Sequence, residues 1–252
     1  MAETRSDAFL GGVLSIRQPS KGYRAGIDPV LLAASIPAQP GQSALDLGCG
    51  VGVAGLCLAH RVPGVTVAGL ERQELYAALA RDNATANALN FDVKEGDIAE
   101  MPAALKARRF DHVFANPPYF DRRATTAAID PGREASMGEE TPLEIWVEAA
   151  ARRAAPKGTV TFIHRAARLP QLLSCMQARL GSLEVLPLLS RAARAPRLVL
   201  VRGRKGGRAE FCLHAGWVLH TGDRHEADRE SYTKPTTCVL RDGAPLDFPK
   251  RV

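Results

Sequence analysis

The sequence of 252 residues predicts an α/β fold with a mostly parallel sheet and helices on both faces. Strand-like and helix-like segments alternate from residue 43 to about residue 190, which is the pattern of successive βα units. A glycine-rich turn follows the first of these strands and opens a helix. These observations favour one domain over 1–252, with an N-terminal extension at 1–42, a core at 43–202 and a C-terminal extension at 203–252.

The individual elements follow from hydrophobic periodicity and from residues that start or stop helices. A first helix is predicted to begin at Asp28, which caps it, with Pro29 in its first turn. Thr141 and Glu144 match a capping box for a later helix. Further helices are expected at 52–61, 74–89, 100–107, 141–155 and 170–180. Strands are expected at 43–47, 65–70, near 93, 110–115, 159–163, 183–189 and 197–202, with short strands at 210–213 and 217–220.

Composition and charge exclude several classes of protein. No run approaches the ~18 apolar residues of a membrane span, and no signal peptide is recognisable at the N-terminus. Five cysteines without a CxxC pair argue against a zinc or redox site, so a reduced, cytoplasmic compartment is expected. Segment 149–209 carries 13 basic residues and one acidic residue, which favours a polyanionic partner. A generally arginine-rich composition is the alternative explanation.

The glycine loop begins at Asp46 and contains Gly48, Gly50 and Gly52. Glycines let the backbone turn sharply there and approach a ligand closely. Glu71 ends the next strand, where a carboxylate can accept hydrogen bonds from ribose hydroxyls. A GxGxxG match also starts at Gly50, so the loop alone is compatible with S-adenosylmethionine, with a dinucleotide, or with a purely structural turn.

Two acidic residues favour S-adenosylmethionine among these alternatives. Asp46 stands two residues before Gly48, and Asp97 follows the third strand of the core. This pattern resembles the Asp-x-Gly-x-Gly motif of class I methyltransferases, which have a Rossmann-like, mostly parallel, seven-stranded sheet. The resemblance implies that Asp46 organises the loop near the methionine end of the cofactor and that Asp97 contacts the adenine amino group. Taken alone, an Asp at position 97 is more often a helix cap.

The tetrapeptide Asn116-Pro117-Pro118-Tyr119 follows the fourth core strand, at the edge where open α/β sheets bind ligands. It resembles the Asn-Pro-Pro-Tyr signature of methyltransferases that act on amino groups of adenine, cytosine or glutamine. The Asn116 side-chain carbonyl and the Pro117 backbone carbonyl can each accept one N–H of an exocyclic amine. The prolines stiffen the loop, and Tyr119 offers a ring for base stacking worth about 1–3 kcal/mol. Such a transfer requires no metal.

Both flanks of the core resemble the bacterial tRNA1(Val) adenine-N6 methyltransferases. The match at 18–32 implies that Lys21, Gly26 and Asp28 belong to the cofactor site, which Asn116 also borders. After the core, basic residues on and near a Gly-rich turn are suited to binding RNA phosphates. These residues are Arg197, Arg202, Arg204, Lys205 and Arg208. A solvated hairpin turn is the alternative.

Other classes fit the sequence less well. Guanine-N2 rRNA methyltransferases often have Phe in place of Tyr119 and a duplicated domain, and protein glutamine-N5 methyltransferases usually carry a helical N-terminal domain. An NAD(P)-dependent oxidoreductase would have no use for the tetrapeptide. The sequence therefore predicts transfer of a methyl group from S-adenosylmethionine to an adenine N6 in RNA, with tRNA as the expected partner. The polar segment 121–140 is expected to be functional or mobile, and a monomer is compatible with the sequence.

Overall fold

An antiparallel hairpin and one helix precede the core of the protein. The computed structural model describes residues 3–118, 120–121, 138–139, 141–222 and 231–250. The hairpin consists of β1 (Thr4–Phe9) and β2 (Leu14–Pro19), joined by a 3-10 turn at Leu10–Gly12. Helix α1 (Asp28–Ser35) then leads into the first core strand.

The core is a sheet whose central strands are parallel. Its strands are β3 (Ser43–Leu47), β4 (Thr66–Glu71), β5 (Phe91–Glu95), β6 (Phe110–Ala115), β9 (Ala154–Arg165), β10 (Gly181–Leu189), β11 (Leu198–Arg204), β12 (Cys212–Leu213) and β13 (Trp217–Val218). A separate parallel pair is formed by β7 (Phe120–Asp121) and β8 (Gly138–Glu139). The sheet order is β12-β10-β11-β9-β6-β3-β4-β5, and β13 also pairs with β10. Among the strands of this sheet that the structure describes, only β11 runs antiparallel to its neighbours, β9 and β10.

Helices cover both faces of this sheet. They are α2 (Val53–Arg61), α3 (Glu74–Ala86), α4 (Ala103–Lys106), α5 (Leu143–Arg153), α6 (Leu169–Gln177) and α7 (Lys234–Asp242). One apolar cluster joins α1, α2, α3 and α7 to one face, and a second cluster joins α4, α5 and α6 to the other. The central strands are apolar on both faces because both faces are covered.

The structure confirms the predicted fold class and the seven main strands of the sheet. Three local predictions were wrong. The helix at 100–107 is limited to Ala103–Lys106, after Pro102. Helix α5 has Pro142 at its N-cap and no capping side chain, so Thr141 and Glu144 form no capping box. Helix α1 already includes Asp28, and its N-cap residue is Ile27.

The C-terminal helix α7 was not predicted. Thr233 caps it by accepting a hydrogen bond from the backbone N–H of Thr236, and Gly243 ends it in a left-handed conformation. Within the described part of the chain, none of the helices has both the length and the apolar character that crossing a membrane requires.

Candidate active site

A cavity lies at the carboxyl ends of β3, β4, β5 and β6, and the glycine loop forms part of its wall. The backbone of Gly48 and Gly50 has φ of 66° and 56°, in the left-handed region that glycine tolerates. A Cβ at Gly48 would lie 2.5 Å from the Trp146 ring, whereas a Cβ at Gly50 would meet no atom within 4 Å. The loop is therefore packed tightly at Gly48 and open at Gly50.

Asp46 fixes the start of the helix that follows this loop. Its Oδ2 accepts a hydrogen bond of 3.0 Å from the backbone N–H of Gly55. Only 2% of Asp46 is exposed, and this burial holds the pKa of its carboxyl well above the usual value. The side chain also borders the cavity, so the loop and the cavity depend on the same carboxyl group.

Glu71, at the end of β4, bridges the glycine loop and the turn that leads into α3. Its Oε2 accepts from the N–H of Gly50 at 2.9 Å, and its Oε1 accepts from the N–H of Gln73 at 2.8 Å. Burial raises the pKa of this carboxyl. Each carboxylate oxygen has two acceptor positions, so both oxygens keep capacity for a ligand in the cavity.

Asp97 borders the same cavity on the side of β5. Its Oδ1 accepts from the N–H of Ala99 at 2.8 Å, and its Oδ2 lies 3.9 Å from a guanidinium nitrogen of Arg72. The acceptor bond stays within the turn and does not cap a helix, because α4 begins only at Ala103.

Asn116 lies at the end of β6 and faces the cavity together with Pro117 and Pro118. Its side chain favours the ionised form of the Tyr23 hydroxyl group and so partly offsets the rise in the pKa of that group. Its Oδ1 is buried and has no hydrogen-bond partner among the described residues. A buried acceptor without a partner costs about 1–3 kcal/mol, so this oxygen is suited to a donor that arrives with a ligand. Tyr119 lies outside the described residues.

The segment before the core reaches the cavity through residues that were not predicted. Tyr23, Ala25 and Pro29 border the cavity, whereas the predicted Lys21, Gly26 and Asp28 do not. Burial raises the pKa of the Tyr23 hydroxyl to about 12, and the nearby Asp28 carboxylate adds to this shift.

Gly52 was also predicted in the cofactor site but does not border the cavity. It is the N-cap of α2 with φ of 91°, and a Cβ there would lie 2.9 Å from the Phe91 ring. Its role is to let the chain turn into α2 against a buried aromatic ring.

Comparison with known proteins identifies the family. A family model described as "Methyltransferase small domain" matches residues 24–131. A tRNA1(Val) (adenine(37)-N6)-methyltransferase from Porphyromonas gingivalis is 33% identical over 176 residues, which cover 66% of this chain and 68% of that protein. A protein of the same name from Dickeya chrysanthemi is 29% identical and covers 87% of each chain. The chain belongs to this methyltransferase family.

Solved structures of methyltransferases share the fold. A predicted O-methyltransferase from Agrobacterium tumefaciens superimposes with a TM-score of 0.69 at 24% identity, covering 88% of this chain and 99% of that one. A 16S rRNA N2 G1207 methyltransferase from T. thermophilus, in complex with AdoMet and guanosine, gives a TM-score of 0.56 at 20% identity. It covers 81% of this chain and 50% of that one. The protein is thus an S-adenosylmethionine-dependent methyltransferase with a class I fold.

Two further residues of the methyltransferase cavity were missed, and they come from α5 and from the turn before it. Trp146 is 8% exposed, packs on Gly48, and has a buried indole Nε1 without a partner among the described residues. Thr141 borders the cavity as well. An isolated Trp on an amphipathic helix usually signals core packing, so the sequence carries no signal for this position.

The five basic residues predicted to bind RNA do not form one surface. Arg202 turns inward, where it stacks 3.9 Å from the Phe248 ring centroid and donates to the Ser35 carbonyl. Burial lowers the pKa of its guanidinium to about 10. The Lys205 Nζ donates to the carbonyls of Ala151 and Ala154, around the C-terminus of α5.

The other three basic residues are exposed but lie at two different edges of the sheet. Arg197 precedes β11, whereas Arg204 ends that strand and Arg208 lies beyond it. The prediction of one basic RNA-binding cluster was therefore wrong. Two of the five side chains form hydrogen bonds within the fold, and the other three are divided between opposite edges of the sheet.

Proposed function

We propose that this methyltransferase transfers the methyl group of S-adenosylmethionine to the exocyclic N6 of an adenine in RNA. Adenine 37 of tRNA1(Val), the acceptor in the names of its relatives, is the substrate we propose. The observation that carries the proposal is the buried Oδ1 of Asn116, an acceptor without a partner among the described residues, at the edge of the cavity.

The cavity fits the cofactor by charge and by shape. Three carboxyl groups, those of Asp46, Glu71 and Asp97, border it and suit a ligand that carries positive charge. The open space above Gly50 lets a ligand approach the backbone. Apolar side chains line much of the remaining cavity, together with the polar side chains of Gln73 and Thr141 and the cationic side chain of Arg72. We assign Asp46, Gly48, Gly50, Glu71 and Asp97 to the cofactor. When bound, S-adenosylmethionine supplies an electrophilic methyl group on a positively charged sulfur.

Asn116 then selects and orients the amine. An exocyclic amine offers two N–H donors, and the Asn116 Oδ1 and the Pro117 carbonyl are two acceptors next to each other in the chain. Accepting both bonds turns the nitrogen lone pair out of the plane of the base and frees it for attack. The Tyr23 hydroxyl group borders the same cavity as this amide. Catalysis by such a site consists largely of positioning.

Access of the base follows from the same geometry. A base must leave its stack to reach a buried acceptor, and an unpaired base in an anticodon loop does so at low cost. We assign stacking of this base to Tyr119, as in the sequence-based prediction. We also propose that 1–252 acts as a single unit, because Tyr23 from the N-terminal extension and Asn116 from the core share one cavity.

The decisive experiment is transfer of a labelled methyl group into separate pools of tRNA, rRNA and release-factor protein, followed by nucleoside or peptide analysis. Label in N6-methyladenosine of valine tRNA is expected. Label in guanine N2 of rRNA or in a protein glutamine would replace the proposed acceptor while the methyltransferase assignment stands. Activity on tRNA is expected to fall steeply with salt, since phosphate contacts release counterions.

A further inference from the structure

The direction of β11 decides which basic residues share an edge with the active site. This strand is antiparallel to β9 and β10, with Leu198 paired to Arg165 and Leu188. The loop before β11, residues 190–197, therefore lies at the carboxyl edge of the parallel strands, where the cavity is. At its other end Arg204 pairs with Thr159 and Gly181, so the turn at 205–208 lies at the opposite edge.

The strand register also gives the distance from this loop to Asn116. Ala115 pairs with Phe162, and Phe162 pairs with Val201, so β11 is the second strand from β6. With about 4.8 Å between strands and about 3.3 Å per residue, the start of β11 lies about 12 Å from Asn116. A single-stranded RNA whose base enters the cavity has phosphates within this range.

Loop 190–197 is rich in arginine and contains no acid. Arg191, Arg194 and Arg197 recur at every third position, and 185–209 contains no Asp or Glu. Arg194 and Arg197 are exposed, and neither forms an ion pair with a residue that the structure describes. Arg191 instead donates to the carbonyls of Thr221 and Gly222, which ties the loop to the segment that follows β13.

We infer that loop 190–197 binds the phosphate backbone of the RNA, with Arg194 and Arg197 as its phosphate contacts. The inference rests on the proposed function, because it places the loop beside the acceptor base. A guanidinium group offers paired N–H donors that match phosphate oxygens, and two exposed groups three residues apart can contact neighbouring phosphates. The turn at 205–208 is excluded by its position, although Arg204 and Arg208 are equally exposed.

The opposite edge supplies a matched control for the experiment. R194Q/R197Q and R204Q/R208Q each remove two exposed charges and give the same net charge. Binding of an unmodified valine tRNA transcript is measured by fluorescence anisotropy between low and high salt, with S-adenosylhomocysteine present. For R194Q/R197Q we expect the log–log salt slope to decrease in magnitude by about 2, with weaker binding at low salt. R204Q/R208Q is expected to bind like the wild type.

The outcomes separate this inference from the proposed function. Equal losses in the two double variants would show a net-charge effect and overturn the inference, as would a loss in R204Q/R208Q alone or no loss in either. R194K/R197K should retain the salt slope because it keeps both charges. Melting temperature and S-adenosylhomocysteine affinity report whether each variant is folded. If the wild type binds tRNA through this loop but leaves adenine unmethylated, the proposed function fails and the RNA-binding surface stands.

Discussion

At the scale of single residues, Asn116 and Tyr23 show how a buried polar group can be prepared for a ligand. The Asn116 Oδ1 is buried without a partner among the described residues, and Tyr23 borders the same cavity. A buried acceptor in this state destabilises the ligand-free protein slightly and becomes favourable when a donor arrives. The arrangement favours a ligand that presents N–H groups.

Replacing Asn116 tests this arrangement directly. Asn116→Ala removes the acceptor while Asp46, Glu71 and Asp97 stay in place, so methyl transfer should slow by about 10²–10³-fold. Affinity for S-adenosylhomocysteine, measured by calorimetry, should change little. Single-turnover transfer to tRNA gives the rate of the chemical step. A large loss of cofactor affinity in this variant would instead place Asn116 in the cofactor site.

At the scale of elements, the glycine loop needs glycine for two reasons, a positive φ and close packing against a helix. The sequence alone does not show which glycine serves which reason. Gly48 and Gly50 both have positive φ, yet only Gly48 is in contact with Trp146 on α5. The loop is thus held from one side by a helix that follows it by about ninety positions in the chain, and no local pattern in the sequence could indicate this contact.

A matched pair of substitutions should separate the effect of backbone strain from that of the contact with Trp146. Gly48→Ala combines backbone strain with a clash against a buried ring, and should lower the free energy of unfolding by about 2–4 kcal/mol. Gly50→Ala carries the strain alone, about 1–2 kcal/mol, but its methyl group enters the space assigned to the cofactor. Denaturant unfolding and S-adenosylhomocysteine binding measure the two effects. Equal destabilisation by both variants would contradict the contact with Trp146.

At the scale of the whole molecule, acid should destabilise the fold through buried histidines. Burial lowers the pKa of His112 and of His164 to about 4, whereas the unfolded chain binds these protons near pH 6.5. Between these pH values the unfolded state holds more protons, so this contribution to stability is present above about pH 6.5 and is lost as the pH falls towards 4. Asp46 and Glu71, whose pKa values are raised, act in the opposite direction.

Comparing a variant with the wild type isolates the contribution of His112. Its ring bonds to Thr159 and Gln42, so His112→Gln should lower the melting temperature at every pH. The informative quantity is the slope of melting temperature against pH, since the variant should lose less stability than the wild type between pH 6.5 and pH 4. Parallel curves of melting temperature against pH for the two proteins would show that His112 does not resist protonation in the folded state. Thermal unfolding at several pH values is sufficient.

The sequence predicted the sheet and one side of the cavity because both depend on local patterns. Strand periodicity placed β3, β4 and β6, and the turn that follows each strand carries an acid, a glycine or an asparagine that now borders the cavity. Trp146 and Tyr23 could not be predicted in this way, because only the packing of α5 and of the N-terminal segment brings them to the cavity.

The predicted RNA-binding residues were grouped wrongly for a similar reason. Charge counts ignore strand direction, and one antiparallel strand divides the cluster.

Asn83 gives the N-terminal hairpin a thermodynamic link to the ligand. It is fully buried, and its Nδ2 donates to the carbonyls of Arg17 in β2 and Val51 in the glycine loop, while its Oδ1 accepts from the Arg17 N–H at 2.9 Å. A ligand that binds only when the glycine loop has the conformation seen here therefore also opposes local opening of the hairpin. Amide hydrogen exchange at Arg17 should slow when S-adenosylhomocysteine is added, and Asn83→Ala should abolish that response. Unchanged exchange at Arg17 in the wild type would mean that the hairpin opens independently of the cofactor loop.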